Sequence, residues 1–78
     1  MKEKEEDNPR LRLEQYIAMR VKSKRTEQGL KIIDVARIAG LSQGMVSKIE
    51  NAQVSTSLDT LSRLCDAIGL PISQLFTD

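Results

Sequence analysis

The apolar residues between positions 32 and 49 fall into two short sets with only Gly40-Leu41-Ser42 between them, and this spacing constrains the chain more than any other feature. Ile32, Val35, Ala36 and Ala39 stand at i, i+3, i+4 and i+7, one face of an α-helix that Gly40 then stops. Met45, Val46 and Ile49 give the inward side of a second helix over residues 43–51, with Ser42 as its cap. Two helices so short, joined so tightly, must cross at a steep angle and share one core. Each fixed position has a physical reason. Ala36 is small where the helices approach, Gly40 accepts the left-handed backbone of a tight turn, and Leu41, Val46 and Ile49 lock the angle. The second helix is thereby presented outward.

The rest of the chain supplies supports for this pair. Asn8-Pro9 opens a helix over residues 9–28 that stops at Gly29, with Leu13, Ile17 and Val21 inward, Tyr16 beside them and the Lys24 stem laid over the core. Residues 52–56 have no period and read as a loop. Ser57 caps a fourth helix with Leu58, Leu61, Leu64, Cys65 and Ile68 inward and Gly69 as its stop, and Pro71 opens a last short helix through Phe76. No strand signal or internal repeat appears, so the expected class is all-α with five helices. Residues 2–7 carry charges of both signs without an apolar side chain, so residues 1–8 read as a disordered tail, which leaves residues 9–78 as one domain.

Composition narrows the function classes. In 78 residues the aromatics are Tyr16 and Phe76, so the core must be aliphatic. Histidine is absent and Cys65 is the only cysteine, which removes intrachain disulfides, Cys/His zinc sites and His-based triads. The expectation is a chain with no metal, no cofactor and no catalysis. No apolar run approaches the ~20 residues that span a bilayer, and the charged start lacks the apolar stretch of a secretory signal, so the chain reads as cytoplasmic and free of membrane. The net charge of +1 is unevenly spread. Residues 1–12 balance to zero, residues 13–53 carry +3 and residues 54–78 carry −2, placing positive charge around the helix pair, where a nucleic-acid face would need it.

The strings Gly40-Leu41-Ser42-Gln43-Gly44-Met45-Val46-Ser47-Lys48-Ile49-Glu50-Asn51 and Ser57-Leu58-Asp59-Thr60-Leu61 resemble the lambda-repressor/Cro-like helix-turn-helix family, also called the xenobiotic-response-element type. The resemblance runs over residues 29–76. It implies a five-helix DNA-binding domain whose third helix enters the major groove of double-stranded DNA. Gln43, Gly44, Ser47 and Lys48 match the base-contacting positions, where Gln pairs with adenine and Lys donates to guanine. Ser42, Asn51 and Gln53 match phosphate contacts, and Arg37 and Lys31 add charge. Arg25 and Glu50 match a structural ion pair. Two departures stand out. Lys31 occupies a position where Ser or Thr usually caps the second helix, and Ile32 one where Gln commonly meets phosphate.

The resemblance further implies a transcriptional regulator that acts as a homodimer on a partly palindromic operator, with Leu70, Ile72, Leu75 and Phe76 at the dimer interface. A small-molecule effector enters only for a longer protein with a C-terminal sensing domain. The alternative is an antitoxin that binds a toxin protein and autoregulates its operon, with Ile33, Ile38 or the charged tail as its partner surface.

Overall fold

The computed structural model describes residues 9–76, so the expected tail over residues 1–8, the cap at Asn8 and the last two residues lie outside the described part. Five helices follow in order: α1 (Pro9–Glu27), α2 (Ile32–Ala39), α3 (Gln43–Glu50), α4 (Leu58–Ala67) and α5 (Ile72–Leu75). No strand occurs among the described residues.

One device ends four of these helices. A residue in the left-handed region lets the next N–H reach a carbonyl five positions back, closing the last turn. The bonds are Leu30 N–H to Arg25 O (3.2 Å), Leu41 N–H to Ala36 O (2.9 Å), Gln53 N–H to Lys48 O (2.9 Å) and Leu70 N–H to Cys65 O (2.9 Å). Glycine holds the left-handed position after α1, α2 and α4, but after α3 it is Ala52, at φ 56°. At three of the four ends the following residue is a leucine that turns back onto the core, so the device that stops a helix also packs the next segment.

The core is aliphatic. Val21, Val35, Val46, Leu64, Cys65, Ile68 and Leu75 have no exposed surface, and Ala36 packs among them at 4% exposure where α2 crosses its neighbours. Burying side chains of this size stabilises by roughly 1.5–3 kcal/mol each against leaving them exposed. Three apolar residues expected inward are not there. Leu13, Met45 and Leu58 are 48%, 39% and 73% exposed. Each lies in or near the first turns of its helix, at the edge of the stripe, and the inward width of these short helices is already filled by Ile17, Val21, Val46, Ile49, Leu61 and Leu64. On α1 the buried stripe continues from Val21 to Arg25, not to Lys24, which sits half-exposed and pairs with Glu27 at 3.5 Å.

The short α5 is fastened from α1. The Tyr16 hydroxyl donates to Leu75 O (3.0 Å) and the Arg20 guanidinium to Gln74 O (2.9 Å), satisfying carbonyls that a one-turn helix cannot pair itself. The Phe76 ring stacks on Tyr16 with centroids 6.2 Å apart, and the Arg20 guanidinium lies over the Tyr16 ring at 5.9 Å. The Gln28 side chain donates to Ile68 O, joining the end of α1 to the end of α4.

Candidate nucleic-acid interface

Helix α3 is fixed at both ends and along its inner side. At its start the Ser42 oxygen accepts the Met45 N–H at 3.0 Å, replacing a partner that the first helical turn lacks. That bond uses the oxygen as acceptor and leaves the hydroxyl proton to donate. Along the inner side Val46, Ile49 and Glu50 are buried. At ~100° per residue these three cover one arc of the helix, and Gly44, Ser47, Lys48 and Asn51 cover the opposite arc. Gln43, Gly44, Lys48 and Asn51 are exposed, and Ser47 is half-exposed. The structure therefore puts Gly44, Ser47 and Lys48 on one outward face, and leaves Gln43 exposed at the leading end of the helix, toward its Glu50 side.

The inner end of α3 is held by charge. Arg25 Nε donates to Glu50 Oε2 at 2.7 Å and Arg25 Nη2 to Glu50 Oε1 at 2.9 Å, a two-pronged pair that matches the planar guanidinium to the carboxylate. The third nitrogen, Nη1, donates to Leu30 O at 2.8 Å. Both side chains are buried, at 11% and 3% exposure. The Glu50 hydrogen bond is the main cause that raises the Arg25 pKa above its ordinary value, against the opposing effect of burial. One arginine thus ties together α1, the turn into α2 and the end of α3.

Helix α2 starts without a capping side chain at Lys31, and Asp34 takes over the task. Its carboxylate accepts the Lys31 backbone N–H at 3.0 Å and pairs with Arg37 at 3.1 Å. The backbone bond first, and Arg37 second, lower the Asp34 pKa below the usual carboxylate value. The sequence signal for this role is an acidic residue three positions past the N-cap, the acid half of a capping box without its Ser or Thr. Ile32 is half-buried against the core, so its side chain is packed rather than offered to a phosphate.

The other expected phosphate contacts divide by what their groups already do. Lys31 and Arg37 are exposed on α2, Arg37 with its guanidinium also on Asp34. The Asn51 amide nitrogen donates to Ser47 O at 2.9 Å, and the Gln53 backbone N–H is consumed by Lys48 O. Asn51 therefore caps its own helix, while the Gln53 side chain is exposed to solvent. Of the four residues expected at a dimer interface, Leu70 and Leu75 are inside the chain at 5% and 0% exposure and offer no surface to a partner. Ile72 is half-buried, and Phe76 remains 53% exposed.

Among the described residues no group of three or more acidic or cysteine side chains is placed to hold a metal ion, and no helix is long and apolar enough to cross a membrane.

This geometry agrees with comparisons against known proteins. A family model described as helix-turn-helix matches residues 21–75. The chain is 35% identical over 54 residues to the HTH-type transcriptional regulator PuuR of Escherichia coli (strain K12), covering 69% of this chain and 29% of that protein. It is 38% identical over 55 residues to the ImmF control region 10 kDa protein of Bacillus phage phi105, covering 70% of this chain and 61% of the relative. The chain spans less than two thirds of either relative's length. A crossed α2–α3 pair, an outward polar face on α3 and a family match over most of the chain make it a member of the lambda-repressor/Cro-like helix-turn-helix family of DNA-binding domains.

Proposed function

We propose that this chain is a sequence-specific transcriptional regulator that reads an operator by placing α3 in the major groove. The observation that carries the reading is the pairing of a rigidly held inner side of α3, through Arg25 and Glu50, with an outer face of Gly44, Ser47 and Lys48 and with Gln43 exposed at the helix's leading end. Gln43 and Lys48 supply the donors and acceptors that distinguish adenine and guanine edges, and Gly44 leaves space for close approach. The Ser42 hydroxyl, the Gln53 side chain, Lys31 and Arg37 flank that surface and suit phosphates, which fix register.

In this reading the regulator acts as a homodimer whose recognition helices lie about 34–36 Å apart, one helical turn of DNA, and the operator is partly palindromic. The surface proposed for the dimer contact is the stacked Tyr16–Phe76 pair together with the half-buried Ile72, since Leu70 and Leu75 are occupied within the chain. Control by a small molecule belongs to a longer form with a sensing domain, a reading supported by the greater length of the PuuR relative.

The antitoxin reading is less well supported. It needs a continuous apolar surface, and although Ile33 and Ile38 are 54% and 60% exposed, five positions separate them by about 140° around α2. The Asp34–Arg37 ion pair occupies the arc between them.

Selection of bound duplexes from a random pool tests the proposal. A shared, partly symmetric site is expected, and Gln43→Ala or Lys48→Ala should each lower affinity for it by about 1–3 kcal/mol while sparing non-specific binding. Recovery of no common sequence, or unchanged discrimination in both variants, would contradict the assignment.

A further inference from the structure

Met45 is the one residue of the first turns of α3 that the helix-turn-helix arrangement leaves without an evident task. Val46, Ile49 and Glu50 take the inward positions, and Met45, though apolar, stays 39% exposed at the rim. Its backbone is pinned by the Ser42 cap, so the side chain starts from a fixed point. Gly44 beside it carries no side chain, and a Cβ built there would meet nothing beyond its own helix backbone and chain neighbours within 4 Å. The leading turn of α3 therefore presents a polar side chain, Gln43, on one flank and a flexible apolar one, Met45, on the other, with a bare gap between them.

An apolar side chain exposed at the leading end of a groove-reading helix has one chemical counterpart on base edges, the 5-methyl group of thymine. Methionine suits that contact, because its unbranched thioether chain adapts to small shifts in position. We infer that Met45 is a further specificity residue, one that selects thymine in each half-site by packing on its 5-methyl group. The inference rests on the reading above that α3 enters the major groove.

The test replaces each thymine of the selected operator in turn by deoxyuridine, which removes the methyl and keeps every hydrogen-bonding group. For the unaltered protein, the loss of one methyl contact is expected to weaken binding about fourfold at one position per half-site, the equivalent of exposing one methyl group. Met45→Ala should bind both duplexes alike, and Met45→Leu should restore the difference. The exposed position makes both variants foldable, which a thermal melt confirms. Equal methyl dependence in the unaltered protein and in Met45→Ala overturns the inference, as does a selected site with no thymine whose methyl matters. Gln43→Ala and Lys48→Ala run in parallel separate the causes. If these lose operator preference while Met45→Ala does not alter methyl dependence, only the Met45 role fails. If none of the three alters preference, the placement of α3 fails with it.

Discussion

Arg25 grips Glu50 through two nitrogens at 2.7 and 2.9 Å and spends a third on Leu30 O at 2.8 Å, so the angle at which α3 leaves the core is set by a buried ion pair. Taking charges out of water is costly, and such a pair is sustained only because nearly all its polar atoms are matched. The consequence is asymmetric. Removing one partner strands the other as a buried charge or an unsatisfied group, whereas removing both removes the desolvation cost as well.

Arg25→Met and Glu50→Leu should each lower stability by about 3 kcal/mol, while the two combined should recover a large part of that loss. Urea unfolding of the four proteins in a double-mutant cycle checks it. Additive losses in the double variant would show that the two side chains do not act as a unit.

At Gly44 stability and function should separate. Nothing in the chain lies within 4 Å of a Cβ built there, and the position is helical, so the fold has no use for glycine. Gly44→Ala should therefore stabilise by about 0.5–1 kcal/mol, as helix propensity dictates. If the bare backbone serves close approach to DNA, the same change should weaken operator binding. A higher melting temperature with lower affinity is the expected combination.

The end of α3 offers a second stabilising change. Ala52 holds the left-handed position that glycine holds after α1, α2 and α4. Strain for an alanine there is about 1 kcal/mol, partly offset by the extra freedom glycine brings to the unfolded chain. With about 0.5 kcal/mol left, Ala52→Gly should raise the melting temperature by about 2–4 °C, measured by circular dichroism.

How much of this was legible before any coordinates is clearest at the same residues. The crossed pair, the caps at Ser42 and Ser57 and the stops at Gly29, Gly40 and Gly69 all follow from local chemistry, because each depends on neighbours a few positions away. Leu13, Met45 and Leu58 misled because periodicity names a face but not its width, which is set by how many partners the other helices supply. Leu70 and Leu75 sit inside the chain, not on its surface, for a related reason: the ties of Tyr16 and Arg20 to α5 span more than fifty positions and leave no periodic trace. Asp34 lay in plain view, but its capping role shows only when the missing cap at Lys31 is matched with an acid three residues on.

Cys65 gives a pH prediction. Burial first, and the neighbouring Asp66 charge second, push its thiol from an ordinary 9.0 up to about 11. Between those values the unfolded chain releases the proton and the folded chain keeps it, so the unfolded state gains and stability falls as pH rises through this window. Below pH 9 the contribution is fully present. Cys65→Val should flatten that alkaline limb in unfolding titrations. In the folded protein the thiol should resist iodoacetamide at pH 8 and react only after denaturant is added.

The most direct test of the central claim is an NMR titration of the uniformly ¹⁵N-labelled chain with its selected duplex. The account predicts that amide shifts and broadening concentrate at residues 42–48 and at the start of α2, with α5 affected little or only through dimer formation. Strong changes on α4 and α5 with an undisturbed α3 would contradict it.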